Sequence, residues 1–202
     1  MIFSDLYEKA ASAHRPFVRF GMLRDSINAH HPRVGRVDLR RVVYPHPIRS
    51  AYWHLSDTDR DSPYEEEYSV AEIVYCSSLD DDNPERRYAL TKELMHAFDS
   101  EDEEASDRAR FIQLMRDVQN RPLAKHASPM YQSEFDTRWM AALVLCPREA
   151  RAEFPTGKEA TPVVVSEFAA RFLIPEWVAS FVLDDYYDTV YELFVEGKNG
   201  HG

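Results

Sequence analysis

The sequence predicts an α+β fold: a small sheet of about three short strands, a well-defined helix following it, and a mostly helical C-terminal half. Three observations carry that expectation. β-Branched and aromatic residues gather between residues 36 and 76, in "RVDLRRVVY", "SAYWHL" and "YSVAEIVYC". A strong helix start, Asn83-Pro84-Glu85, follows them, and beyond it the chain reads as a succession of helices divided by proline and capping residues.

Taken in order, residues 3 to 30 read as helix broken near Pro16, with Leu6, Phe17, Phe20, Met22 and Leu23 at helical spacing, and "HHPRVG" punctuates it. The three strands come next, with Pro45 and Pro47 between the first two and the acidic run 57–67 as an exposed connection. Asn83 can cap the following helix, Pro84 suits its first position and Glu85 faces its positive end, so it should run to about residue 99. The cluster "DSEDEEASD" ends that helix and begins "ASDRARFIQLMRDVQ". After "NRPLAKHASP" a further helix is expected from Ser133 to Cys146, stopping at Pro147. "PREARAEF" reads as a short helix or turn, Ser166 can cap "EFAARFLI", Pro175 starts "EWVASFVL", and "DYYDTVYELFVEG" is the last element. Residues 1–130 would hold the N-terminal helix, sheet and motif helix and 131–202 the helical part, together one compact unit over 1–202.

A net charge of −11 argues against unaided binding to nucleic acid or an anionic membrane, because phosphates would meet repulsion. The most basic stretch, "RVGRVDLRR" at 33–41, reads as solvated strand and loop charge. Cys76 and Cys146, each in an apolar run, read as buried small hydrophobes with no disulfide or metal knuckle. With no leader pattern at "MIFSDLYEKA" and no run of about 18 apolar residues, the expectation is a reduced, cytoplasmic protein.

The chemistry concentrates in "RYALTKELMH", residues 87–96. At about 100° per residue, Ala89, Lys92, Glu93, His96 and Asp99 share one arc of the helix, while Tyr88, Leu90, Leu94, Met95, Ala97 and Phe98 cover the other. On "SEFDTRWMAALVLC" the same projection sets Asp136 amid Phe135, Trp139, Met140, Leu143 and Cys146. A carboxylate on an apolar face requires a cation, a metal or several donors. Lys92 and His96 are the natural supply.

These residues carry a resemblance. "VAEIVYCSSLDDDNPERRYALTKELMHAFD" resembles the strand and active-site helix of the ImmA/IrrE-type metallopeptidases, with Arg87, Tyr88, Leu90, Glu93, Leu94 and His96 fitting the frame R-F-T-L-A-H-E-L-G-H. Lys92 stands at the first metal-binding histidine and Met95 at the usual glycine. "DTRWMAALVLCP" is similar to the family's E-A-N-x-F-A-A-x-L-L-M-P helix and puts Asp136 at the third ligand position; "VVSEFAARFLIP" would put Val164 there, which is poorer chemistry. The resemblance spans about residues 70 to 195. It implies a zincin-like fold, with a small antiparallel sheet packed against the active-site helix, and a regulatory setting, since active members cut transcriptional repressors.

In a working H-E-x-x-H site two neutral imidazoles hold zinc and the glutamate takes a proton from the bound water. The ammonium of Lys92 has no lone pair for a metal, and removing its proton near neutral pH is costly. The leading expectation is therefore a metal-independent pseudo-peptidase that binds a protein or peptide partner, such as a transcriptional regulator, with Lys92 paired to Asp136 and Glu93 in place of zinc and no cofactor. A second is an active zinc endopeptidase cleaving a repressor-type protein, with Glu93 as general base and His96, Asp136 and an unidentified third group as ligands. In a rebuilt variant of that site Glu93 is itself a ligand, and Asp99 or His126 completes the set. A third is an unrelated acidic α+β interaction module, in which Lys92 and Asp136 need not meet.

Overall fold

The computed structural model describes residues 1–43, 51–59, 67–104, 108–120 and 126–197. Within them the α+β expectation holds. Two helices, α1 (Phe3–Ser12) and α2 (Phe20–His30), lead into β1 (Val34–Val42), β2 (Ala51–Asp59) and β3 (Tyr68–Cys76). The motif helix α3 (Asn83–Met95) follows, then α4 (Arg108–Asn120), α5 (Pro129–Leu145), the short α6 (Arg148–Arg151), α7 (Pro162–Phe172), α8 (Glu176–Val182) and α9 (Tyr186–Phe194). Pro45, Pro47 and most of the acidic 57–67 run lie outside the described residues.

The sheet is mixed rather than antiparallel. Its order is β1-β3-β2, with β3 parallel to β1 (Leu39↔Ile73) and antiparallel to β2 (Trp53↔Ile73). Composition accounts for the order, though not for the direction of β1: β3 buries Val70, Ala71, Ile73, Val74 and Cys76 and takes the centre, where neighbours flank both sides. β1, rich in arginine, stays at an edge. Its charges are matched, Arg36 to Asp38 and Asp59, Arg40 to Glu72, and Arg41 to Asp80.

Capping sets the helix starts. Asp82, one residue before the expected Asn83, accepts the Glu85 N–H at 3.2 Å to cap α3. Ser128 caps α5 with Pro129 in its first turn, so that helix begins four residues before the expected Ser133. Thr161 caps α7, which leaves Ser166 inside the helix rather than at its start. One buried core joins Leu6 of α1, Ile73 of β3, Leu94 of α3, Leu143 of α5, Phe168 of α7 and Tyr187 of α9, crossing residue 130.

Two buried arginines fasten the motif helix and the C-terminal helices to that core. Arg87 on α3 donates to the carbonyls of Val18, Phe172 and Leu173, and burial lowers its pKa to about 10. Arg151 donates to the carbonyls of Val182 and Asp184 and pairs with Asp188. Each satisfies several carbonyls at helix ends and in loops with one planar group.

Candidate active site

α3 enters the site with its polar arc turned inward. Lys92 and His96 are one turn apart on it, and Glu93 lies between them, so the three side chains converge on one point. The helix gives way at His96–Phe98 to a tighter turn, which carries Asp99 back beneath the imidazole. Across from α3, α5 supplies Ser133 and Glu134, and β2 supplies a backbone N–H.

The Lys92 ammonium is the hub. Its Nζ lies 2.6 Å from Glu134 Oε2, 3.1 Å from Glu93 Oε1 and 3.2 Å from His96 Nε2. An ammonium has three protons to donate, and here three acceptors receive them. Burial alone would push its pKa down, but the two glutamates outweigh burial and hold it above the ordinary lysine value. The lysine is therefore charged at neutral pH.

The two glutamates respond in opposite directions. Burial pushes Glu93 up, against the attraction of Lys92 and His96. Glu134 also feels burial, but Lys92 and His96 more than reverse it and hold its pKa below the ordinary value. Glu93 Oε2 accepts the Trp53 N–H at 3.1 Å, so both of its oxygens are engaged.

In the neutral His96 ring the hydrogen-bond partners select one tautomer. Because the ammonium only donates, Nε2 accepts, and Nδ1 carries the proton toward Asp99 Oδ2 at 2.7 Å. Ser133 Oγ donates to the other Asp99 oxygen at 2.8 Å. A carboxylate that orients a histidine in this way is the usual support of a metal-ligating imidazole. Here it aims Nε2 at an ammonium. Ser133, His96 and Asp99 do not form a nucleophilic triad, since serine and aspartate approach the same ring nitrogen and Ser133 is buried.

Lys92, Glu93, His96 and Asp99 are thus brought together, but Asp136 is not the carboxylate that meets Lys92. Glu134 takes that place. Two positions along a helix are about 200° apart, so Asp136 points away and accepts from Gln132 Nε2 at 3.0 Å instead. Burial raises its pKa, with that hydrogen bond opposing. His126 is exposed ahead of α5, and no hydrogen bond among the described residues joins it to the cluster.

With Lys92 in place, the atoms around its Nζ lie at 2.6–3.2 Å, the lengths of hydrogen bonds. Among the described residues no group of three histidine, cysteine, aspartate or glutamate side chains is arranged to hold a metal ion. His96 and Glu134 are the residues that could ligate one if the group at position 92 were itself a ligand.

Glu93, His96, Asp99 and Glu134, which surround Lys92 and Ser133, lie in the wall of a cleft of about 590 Å³ between β2 and α4. Trp53 and Leu55 form one side, and Phe111, Leu114 and Met115 the other. Asp117 fixes α4 there by accepting the Ser128 N–H at the start of α5. Compared with protein-family models, curated proteins and solved structures, the chain matches none.

Proposed function

We propose that this chain is a degenerate, zincin-like relative of the ImmA/IrrE-type metallopeptidases that works without a metal, binding a protein or peptide partner in the cleft beside Lys92. The observation that carries this reading is the saturated ammonium: a permanent cation occupies the point on which Glu93, His96 and Glu134 converge. It balances the buried carboxylates as a metal would, while offering no Lewis acid and no activated water. Its setting, on this reading, is regulatory, with a transcriptional regulator as the kind of partner and the cytoplasm as the compartment. No helix among the described residues is long and apolar enough to cross a membrane.

A second reading, an active zinc endopeptidase acting on a repressor-type protein, draws on the Asp99–His96 pair, which has the form of a metal-supporting contact. One experiment separates the two. Purified protein is incubated with a pool of unstructured peptides, with and without added zinc, and both retention and cleavage are read by mass spectrometry. Retention without cleavage in either condition is expected; cleavage that zinc restores and a chelator abolishes would overturn the pseudo-enzyme reading. Neither retention nor cleavage would favour the unrelated interaction module.

A further inference from the structure

The chemistry of the cleft narrows the class of partner, an inference that rests on the cleft being a binding site as proposed. Five carboxylates line it, Glu93, Asp99, Glu103, Glu104 and Glu134, and among the described lining residues there is no lysine or arginine. Most of that charge is already committed. Glu93 is engaged at both oxygens, Asp99 accepts from His96 and Ser133, Glu104 meets Arg33 at 3.4 Å, and Glu103 holds the Ser100 N–H and hydroxyl.

Glu134 is different. Its Oε2 holds Lys92, but its Oε1 is 3.6 Å from His96 Nε2, beyond a hydrogen bond, and no other hydrogen bond among the described residues reaches it. The side chain is 29% exposed, against 12% for Lys92 and 8% for Glu93, and it lines the cleft. An ionised oxygen without a hydrogen-bond donor, in the wall of an acidic cleft, suits a cationic head.

The walls ask for something longer than a single cation. Phe111, Met115 and Val118 are 52%, 39% and 46% exposed at helical spacing on α4, and Leu55 on β2 is 43% exposed. The α4 stripe starts at the cleft wall and continues about 10 Å along the helix. A small amine would leave it uncovered.

We infer that the cleft receives a basic peptide segment, with a lysine or arginine head on Glu134 Oε1 and neighbouring aliphatic side chains between Leu55 and the Phe111–Met115 face of α4. Long-range attraction between the acidic chain and a basic partner would favour encounter, most strongly at low salt.

The test is selection from a randomised heptapeptide library by the full-length protein, with a Phe111→Ser/Leu55→Ser variant as the cleft control; both positions are exposed, so the fold should persist. Expected is enrichment of lysine or arginine next to aliphatic residues, lost in the variant. Changing the basic residue of an enriched peptide to glutamine should weaken binding at least about tenfold. Cleft-dependent enrichment of neutral or acidic sequences would overturn the basic-partner inference and leave the binding reading standing. Absence of any cleft-dependent enrichment would overturn both.

Discussion

Lys92 Nζ and Glu134 Oε2 lie 2.6 Å apart, one in the last turn of α3 and the other in the first half of α5, and this contact ties the motif helix to the helix facing it. Both side chains are largely buried, so neither charge can be removed without stranding the other. Losing one partner of such a pair costs about 3–5 kcal/mol. Lys92→Met should lower stability to chemical denaturant by about that amount. Lys92→Met/Glu134→Gln should lose less than the sum of the single changes by at least about 1 kcal/mol. Additive losses would mean that the two groups are not coupled.

Restoring a histidine should restore a metal site. Lys92→His is expected to bind zinc with a thermal midpoint that rises with zinc concentration, because His96 and Glu134 already face the vacated point. In that background Glu134→Ala should abolish the shift and Asp136→Ala should leave it. The reverse pattern would return the ligand role to Asp136.

The two glutamates should titrate with opposite effects on stability. Glu134 has a lowered folded pKa, so its contribution is present above the unfolded glutamate value and is lost as pH falls through the folded one. Glu93 has a raised folded pKa, so the folded state gains protons there first, and its contribution grows as pH falls. The stability advantage of the wild type over Glu134→Gln should shrink toward acid pH, and its difference from Glu93→Gln should move in the wild type's favour. Lys92, whose pKa is raised, should keep its contribution until strongly alkaline pH. Denaturant titrations at a series of pH values would show these slopes; slopes of the same sign for both glutamates would contradict the assignment.

Arg87 should tolerate no replacement. Its planar guanidinium serves carbonyls of two separate segments, and a lysine has neither the fork nor the reach to serve both. Arg87→Lys should destabilise by about 2 kcal/mol or more, measured by denaturant midpoint. An effect below about 0.5 kcal/mol would mean that the carbonyls find other donors.

How much of the fold and site was legible in the chain depends on which residues carry the burial. α3 was legible because a helix-start signal at Asn83–Glu85, one residue past the actual cap Asp82, coincides with a clean polar arc at Lys92, Glu93 and His96. Glu134 was not. The buried face of α5 near the site is built from Ser133 and Thr137, whose hydroxyls are satisfied by Asp99 and by the Ser133 carbonyl. A count of hydrophobic residues treats those two as polar, so the projected apolar face turns toward Phe135, which is 42% exposed, and carries Asp136 with it. Matching the helix end at Pro147 reinforced the same register. The direction of β1 was not legible either, since alternation along a strand fixes its faces and not its partner.

An ammonium in the place of a metal is tested most directly by the metal content, read by elemental mass spectrometry, of protein purified without chelators or a histidine tag, alongside a check that it is folded. Folded protein with far less than one equivalent of any transition metal is the predicted result. Stoichiometric zinc that disappears in His96→Ala would contradict it.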